Sequence, residues 1–252
     1  MKERAAFTFA ETLVVASLGF VLVGLTLPSL NDAQQQLQAA QCLNNMRQWG
    51  LAFTMYCDDY RDYMPYEGQS NGTDITQGFN LAAWYNILPH YINQPAMKDL
   101  YASSPSNVPV PGSRSIFVCP SAPSTSYTPS ATKPYFSYAM NRLMNGLSGK
   151  SYKRSIAALP GQVILFSESE NDDFSFTDGY HIGIYGVPPG NAPRHFGGRN
   201  FVFVDGHATW YATNDYSRTS AEMNNGTGSL AEWSHNPPYK IYWWAYNGLQ
   251  KR

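Results

Sequence analysis

Charge is scarce in this sequence, and so are cysteine, histidine and every catalytic signature with a fixed spacing. The 17 Lys and Arg nearly balance 18 Asp and Glu, for a net charge of −1, so no global basic field exists to gather nucleic acid. With 3 Cys and 5 His, all scattered, there is no zinc-ribbon pattern, and no C-x-x-C occurs. G-x-S-x-G, H-E-x-x-H, the P-loop and the dinucleotide fingerprint are missing too, which removes the enzyme classes that rest on those spacings. Aromatics, by contrast, are abundant: 18 Tyr, 13 Phe and 6 Trp in 252 residues, enough chain for one good-sized domain and an appendage.

The appendage is at the N-terminus. Thr12 to Leu30 reads TLVVASLGFVLVGLTLPSL, 19 residues without a charge. As a helix this run spans roughly 28 Å, close to the hydrocarbon thickness of a bilayer. A secretory signal peptide is the competing reading. The run is longer than such a core, no small-x-small cleavage site follows it, and the chain continues as NDAQQQLQAAQ, a good helix. Glu11 stands at its leading edge, where an ionisable group needs a partner or solvent. Before it comes MKERAA, short and polar, then FTFAETLVV.

Those residues resemble the type IV pilins and the pseudopilins of type II secretion. That family carries a short basic leader, cleavage on the cytoplasmic side before a Phe, and a Glu five residues into the mature chain. The resemblance implies cleavage between Ala6 and Phe7 by a prepilin peptidase, methylation of Phe7, and Glu11 as the fifth mature residue. Ala6 stands where the family usually has Gly. Pro28 matches a helix-breaking proline of many pilins, so a kink or local melting is expected there. In low dielectric the Phe7 ammonium and the Glu11 carboxylate of neighbouring subunits would pair, and only one stagger brings them together.

From Asn31 to about Tyr60 a helical pattern continues. Cys42, Met46, Trp49, Phe53, Tyr56 and Tyr60 recur in steps of three and four and form one apolar face. Asp58, Asp59, Arg61, Asp62 and then Pro65 end the run. A helix from Phe7 to Tyr60 would be roughly 80 Å long. The stretch CLNNMRQWGLAFTMYCDDYRDYMP, the FVCP at Phe117 to Pro120, the RHFGG at Arg194 to Gly198 and the DGH in FVFVDGHATWY resemble a large bacterial family of pilin-like proteins with prepilin-type leaders. Together the resemblances imply a membrane-stored filament subunit whose partners are itself, the prepilin peptidase, the inner-membrane assembly machinery and lipid. They place it in the bacterial inner membrane as a single-pass protein with its head outside the cytoplasm, and then in a periplasmic or extracellular filament.

Cys42 and Cys57 lie 15 residues apart on one helix, about 22 Å, too far to bridge each other. Cys119 is in the head. Cys42–Cys119 is the expected disulfide, with Cys57–Cys119 and three free thiols as the alternatives.

The expected fold is α+β: leader 1–6, membrane and assembly helix 7–30, amphipathic spine 31–60 and a head 61–252 with a small antiparallel sheet and long loops. Ala82 to Ile92 reads as a short interrupted helix, and SIFVC, Gln162–Ser167, Asn200–Asp205, His207–Ala212 and Lys240–Ala245 as strands. Asp205-Gly206 is a hairpin-turn dipeptide. Arg194, His195, Asp205 and His207 form the best polar cluster. His195, Asp205 and His207 would serve a metal, but the preferred reading is structural, with a turn at Asp205 and hydrogen bonds from Arg194 and His195. The loop SESENDDFSFTDG offers Glu168, Glu170, Asp172, Asp173 and Asp178, oxygen ligands of a density that suits calcium; a solvated loop is the plainer reading. No other cofactor and no catalysis are expected. The C-terminal PPYKIYWWAYNG is aromatic enough to bind sugar or a neighbour, so a membrane-anchored binding module that never polymerises is the second functional reading.

Overall fold

The computed structural model describes residues 8–68, 74–103, 108–122, 129–132, 134–141, 152–168, 181–182, 194–219, 221–222 and 228–245, with the side chains of 23–29 and 181–182 left aside. Its contacts divide the chain into Met1–Gln38 and Ala39–Arg252. Helix α1 (Phe9–Asp59) contributes to both and runs through Pro28 without a break, so the expected melting is not seen there.

In the first unit α1 carries many large apolar side chains that face solvent, with Phe9 83% and Phe20 80% exposed. Among the described residues no helix is long and apolar enough to cross a membrane; residues 23–29 sit inside the uncharged run.

In the second unit the same helix becomes the spine of a core. Cys42, Met46, Trp49 and Phe53 are fully buried and Tyr56 nearly so, while Tyr60 is half exposed just past the helix end. Ala52 and Cys57 join the buried face. The stripe ends where Arg61 and Asp62 take positive φ, 56° and 72°. The Asp62 N–H then donates back to the Cys57 carbonyl at 2.8 Å, which closes the last turn without a glycine. Arg154 ties this end down through Asp58 and Asp62, both at 2.6 Å.

The head is α+β, with the spine packed on a five-stranded sheet. Its strands are β1 (Tyr138–Asn141), β2 (Ile164–Glu168), β3 (His181–Ile182), β4 (Gly198–Phe203) and β5 (Ala208–Ala212). They lie in the order β3-β1-β2-β4-β5; β1, β2, β4 and β5 are antiparallel neighbours, and β3 pairs parallel to β1. Period-two alternation divides the faces. Val163, Leu165, Val202 and Val204 belong to the core that contains Trp49, whereas Ile164, Phe201 and Phe203 belong to a second cluster on the opposite face.

Trp49 and Trp84 meet edge-on at 5.0 Å with Phe117 and Phe166 around them, and the Trp49 indole donates to the Ile116 carbonyl. Trp84 opens α2 (Trp84–Ile87), flanked by 3-10 turns at Gly78–Ala82 and Leu88–Ile92, which is the interrupted helix expected here. Residues 115–118 make turns, not the expected strand, because Asn45 and Trp49 of the spine take the Val118 and Ile116 carbonyls that a neighbouring strand would have used.

The C-terminal segment is also a correction. Lys240–Ala245 is not a strand; one bridge, Val163 to Tyr242, holds it beside β2. It lies across the second face of the sheet and buries Ile241, Trp243 and Trp244 there. Short helices α3 (Met97–Ser103), α4 (Thr213–Tyr216) and α5 (Gly228–Trp233) and a 3-10 turn at Arg154–Ile156 complete the described elements.

Candidate functional site

Among the described residues, the expectations drawn from the sequence converge on the N-terminal end of α1 and on a buried polar cluster where the spine meets the sheet.

At the helix start, Thr8 and Glu11 form a reciprocal cap. The Thr8 N–H and hydroxyl donate to Glu11 Oε2 at 2.7 and 2.8 Å, and the Glu11 N–H donates to Thr8 Oγ1 at 3.3 Å. The T-x-x-E spacing is that of a capping box, which supplies partners for donors that the first turn leaves open. The carboxylate therefore has a local partner within its own chain. Ala6 and Phe7 lie outside the described residues.

The second place is built around the disulfide. Cys42 of α1 is joined to Cys119, with Cα atoms 5.1 Å apart, which is the disulfide expected from the sequence. Cys57 is free, and burial pushes its thiol up to about 12, so it is no nucleophile at neutral pH.

Against the disulfide lies His195. Its Nε2 is 3.5 Å from Cys119 Sγ and 2.7 Å from Glu168 Oε1. The backbone delivers it by a two-residue turn: Phe196 and Gly197 both have positive φ (48° and 79°), and His195 and Gly198 exchange backbone hydrogen bonds at 3.0 and 2.9 Å. R-H-F-G-G is thus a hairpin corner that points one imidazole into the core. The Trp210 indole donates to the His195 carbonyl and holds the corner from outside.

Glu168 ends β2 and is buried, not part of a solvated loop. Asn200 donates to it twice, Nδ2 to Oε1 at 3.0 Å and the backbone N–H to Oε2 at 3.1 Å. Burial disfavours the carboxylate, but His195, the Arg194 charge and the Asn200 N–H outweigh it and hold the pKa below the ordinary value. Glu168 is therefore removed from the calcium set; Glu170, Asp172, Asp173 and Asp178 lie outside the described residues.

The cluster of Arg194, His195, Asp205 and His207 does not converge. His195 sits at one end of the β4–β5 hairpin and Asp205 and His207 at the other, about 20 Å along a strand of this length. Asp205 and His207 are exposed and bind each other at 2.6 Å around the turn. Sequence reasoning missed Glu168 and Asn200 as partners of His195. The available signal was a carboxylate at the end of an apolar strand, which cannot be buried alone.

Beside the cluster an apolar pocket of about 320 Å³ is lined by Ala39, Ala40 and Leu43 of α1 and by His195, Phe196, Asn200 and Trp210. Much of the aromatic C-terminal row belongs to the core: Ile241 and Trp243 are fully buried and Trp244 nearly so, while residues 246–248 lie outside the described residues.

Among known proteins, the family described as "Protein of unknown function (DUF1559)" matches residues 37–179. No curated protein and no solved structure matches the chain.

Proposed function

The chain belongs to the DUF1559 family, one associated with pilin-like proteins, and from that premise we propose that it is a filament subunit of the type IV pilus or type II pseudopilus kind. The observation that carries the proposal is the first unit: a helix with a cluster of exposed Leu, Val and Phe side chains within an uncharged run. Water is a poor medium for such a surface; lipid, or the same helix of other copies, is a good one.

In this reading a prepilin peptidase removes residues 1–6 and methylates Phe7. The processed chain is stored in the inner membrane with its head outside the cytoplasm, and the assembly machinery then moves it into the filament. The head is non-catalytic and presents a surface. The free amine of Phe7 in one copy meets the Glu11 carboxylate of its neighbour, and the Thr8 cap holds that carboxylate in place until it does. Charge pairing out of water sets the axial stagger.

Glu11→Gln tests this cleanly, because Gln also serves in a capping box and the substitution removes only the charge. The variant should insert into membranes like the parent and disappear from filaments, by about a hundredfold or more if breaking a buried charge pair costs roughly 3 kcal/mol. Quantitative mass analysis of purified filaments reads the outcome. Wild-type incorporation of the variant would remove Glu11 from assembly, and a chain that stays monomeric with residues 1–6 attached would remove the filament reading as a whole.

A further inference from the structure

We propose that the dithiol form of the Cys42–Cys119 pair is a zinc site whose four ligands are Cys42, Cys119, His195 and Glu168. The inference does not depend on the filament reading.

The four side chains come from the spine, a turn, the end of β2 and the hairpin corner, yet one ligand atom from each lies within 4.8 Å of the others. A tetrahedral zinc ion with bonds of 2.0–2.3 Å sets its ligand atoms about 3.3–3.8 Å apart. Side-chain rotations of about an ångström therefore close the set, once the two sulfurs are no longer bonded to each other. Two thiolates, an imidazole and a carboxylate form a borderline-soft donor set of the kind zinc takes, and calcium or magnesium does not.

The surroundings resemble a structural metal site. All four ligands are buried. Asn200 grips Glu168 through two hydrogen bonds, and the Trp210 indole fixes the backbone at His195. Such outer contacts orient the ligands. Three anionic ligands around a divalent ion leave one negative charge, and the Arg199 guanidinium, which donates to the Glu168 carbonyl at 3.2 Å, is beside it. The apolar pocket lined by His195 and Asn200 borders the cluster.

Binding is a balanced exchange: two thiols lose two protons and form two sulfur–zinc bonds. Disulfide and zinc exclude each other, because the oxidised sulfurs have no thiolate charge to offer. Either one joins position 42 of the spine to position 119 of the head. Zinc would also hold positions 168 and 195, so a chain not yet oxidised has its head clamped to its spine.

The test uses the full chain in detergent. A phosphine reductant opens the bridge, taking one oxygen from water as the two sulfurs become thiols, and is then removed without air. Cobalt(II) is the probe, since tetrahedral thiolate coordination has a charge-transfer band and visible d–d bands. We expect both in the reduced chain at one cobalt per chain, displacement by zinc, and a higher melting temperature with zinc for the reduced chain but not the oxidised one. The bands should survive Cys57→Ala and vanish when Cys42→Ala and Cys119→Ala are combined, and Asn200→Ala should weaken zinc binding about 10–100-fold. No cobalt band in the reduced wild-type chain would overturn the proposal, as would thiolate bands that persist when Cys42→Ala and Cys119→Ala are combined, or equal zinc affinity of the oxidised and reduced forms. The wild-type comparison needs no variant to fold.

Discussion

Glu168 is a buried carboxylate whose charge is held by its neighbours. Its carboxyl is held below the ordinary value of 4.5 although burial pushes the other way. The sign follows from linkage. A group whose folded pKa is depressed contributes stability that is present above its unfolded pKa and is lost as pH falls through the folded one. Denaturant midpoints measured from pH 7 downward should therefore fall once pH drops below about 4.3, the unfolded carboxylate value. Glu168→Gln, which keeps an acceptor but does not titrate, should start lower and remove part of that slope. An unchanged slope would mean that the carboxylate is not paired as described. Glu11 teaches a related lesson. The resemblance to pilins draws attention to its charge, yet the nearest chemistry is a cap within four residues, and the T-x-x-E signal was present in the sequence.

Between elements, α1 comes very close to the β4–β5 turn. A Cβ on Gly50 would come 2.0 Å from the Gly206 carbonyl oxygen, and one on Gly206, at φ 91°, would come 2.4 Å from Thr54 Oγ1. Two glycines in register let the helix backbone touch the hairpin backbone. Gly50→Ala is expected to destabilise the head by about 1–3 kcal/mol despite the better helix propensity of Ala, because the spine must move away from the turn. Urea denaturation followed by tryptophan fluorescence checks it, and a neutral or stabilising result would show that the helix yields without cost. The hairpin was legible because Asp205-Gly206 names its own turn. Strand β1 was not, since four residues buried on both faces carry no alternation. The C-terminal aromatics failed as a strand for the opposite reason. Their composition suits a strand, but Arg218, with Tyr239 stacked on it, binds the Ile241 carbonyl, and Glu232 takes the Trp243 and Trp244 N–H groups.

Across the head as a whole, the disulfide is the one covalent tie between spine and sheet layer among the described residues. It closes a loop of 77 residues. The chain-entropy treatment gives such a crosslink about 4.5 kcal/mol at 25 °C. Cys42→Ala with Cys119→Ala should lower unfolding stability by that order, with some relief from the core that remains; a loss under about 1 kcal/mol would show that the packed spine alone constrains the unfolded chain little less than the bridge does. The spine, its buried stripe and the exclusion of a Cys42–Cys57 bridge follow from the residue order alone, since helix rise, periodicity and caps act within a few residues of each other. The meeting of Glu168, His195 and Asn200 beside the disulfide, and the burial of the aromatic tail, came from the folded arrangement. Both depend on which strands lie side by side and in what register, and no short-range pattern encodes that choice.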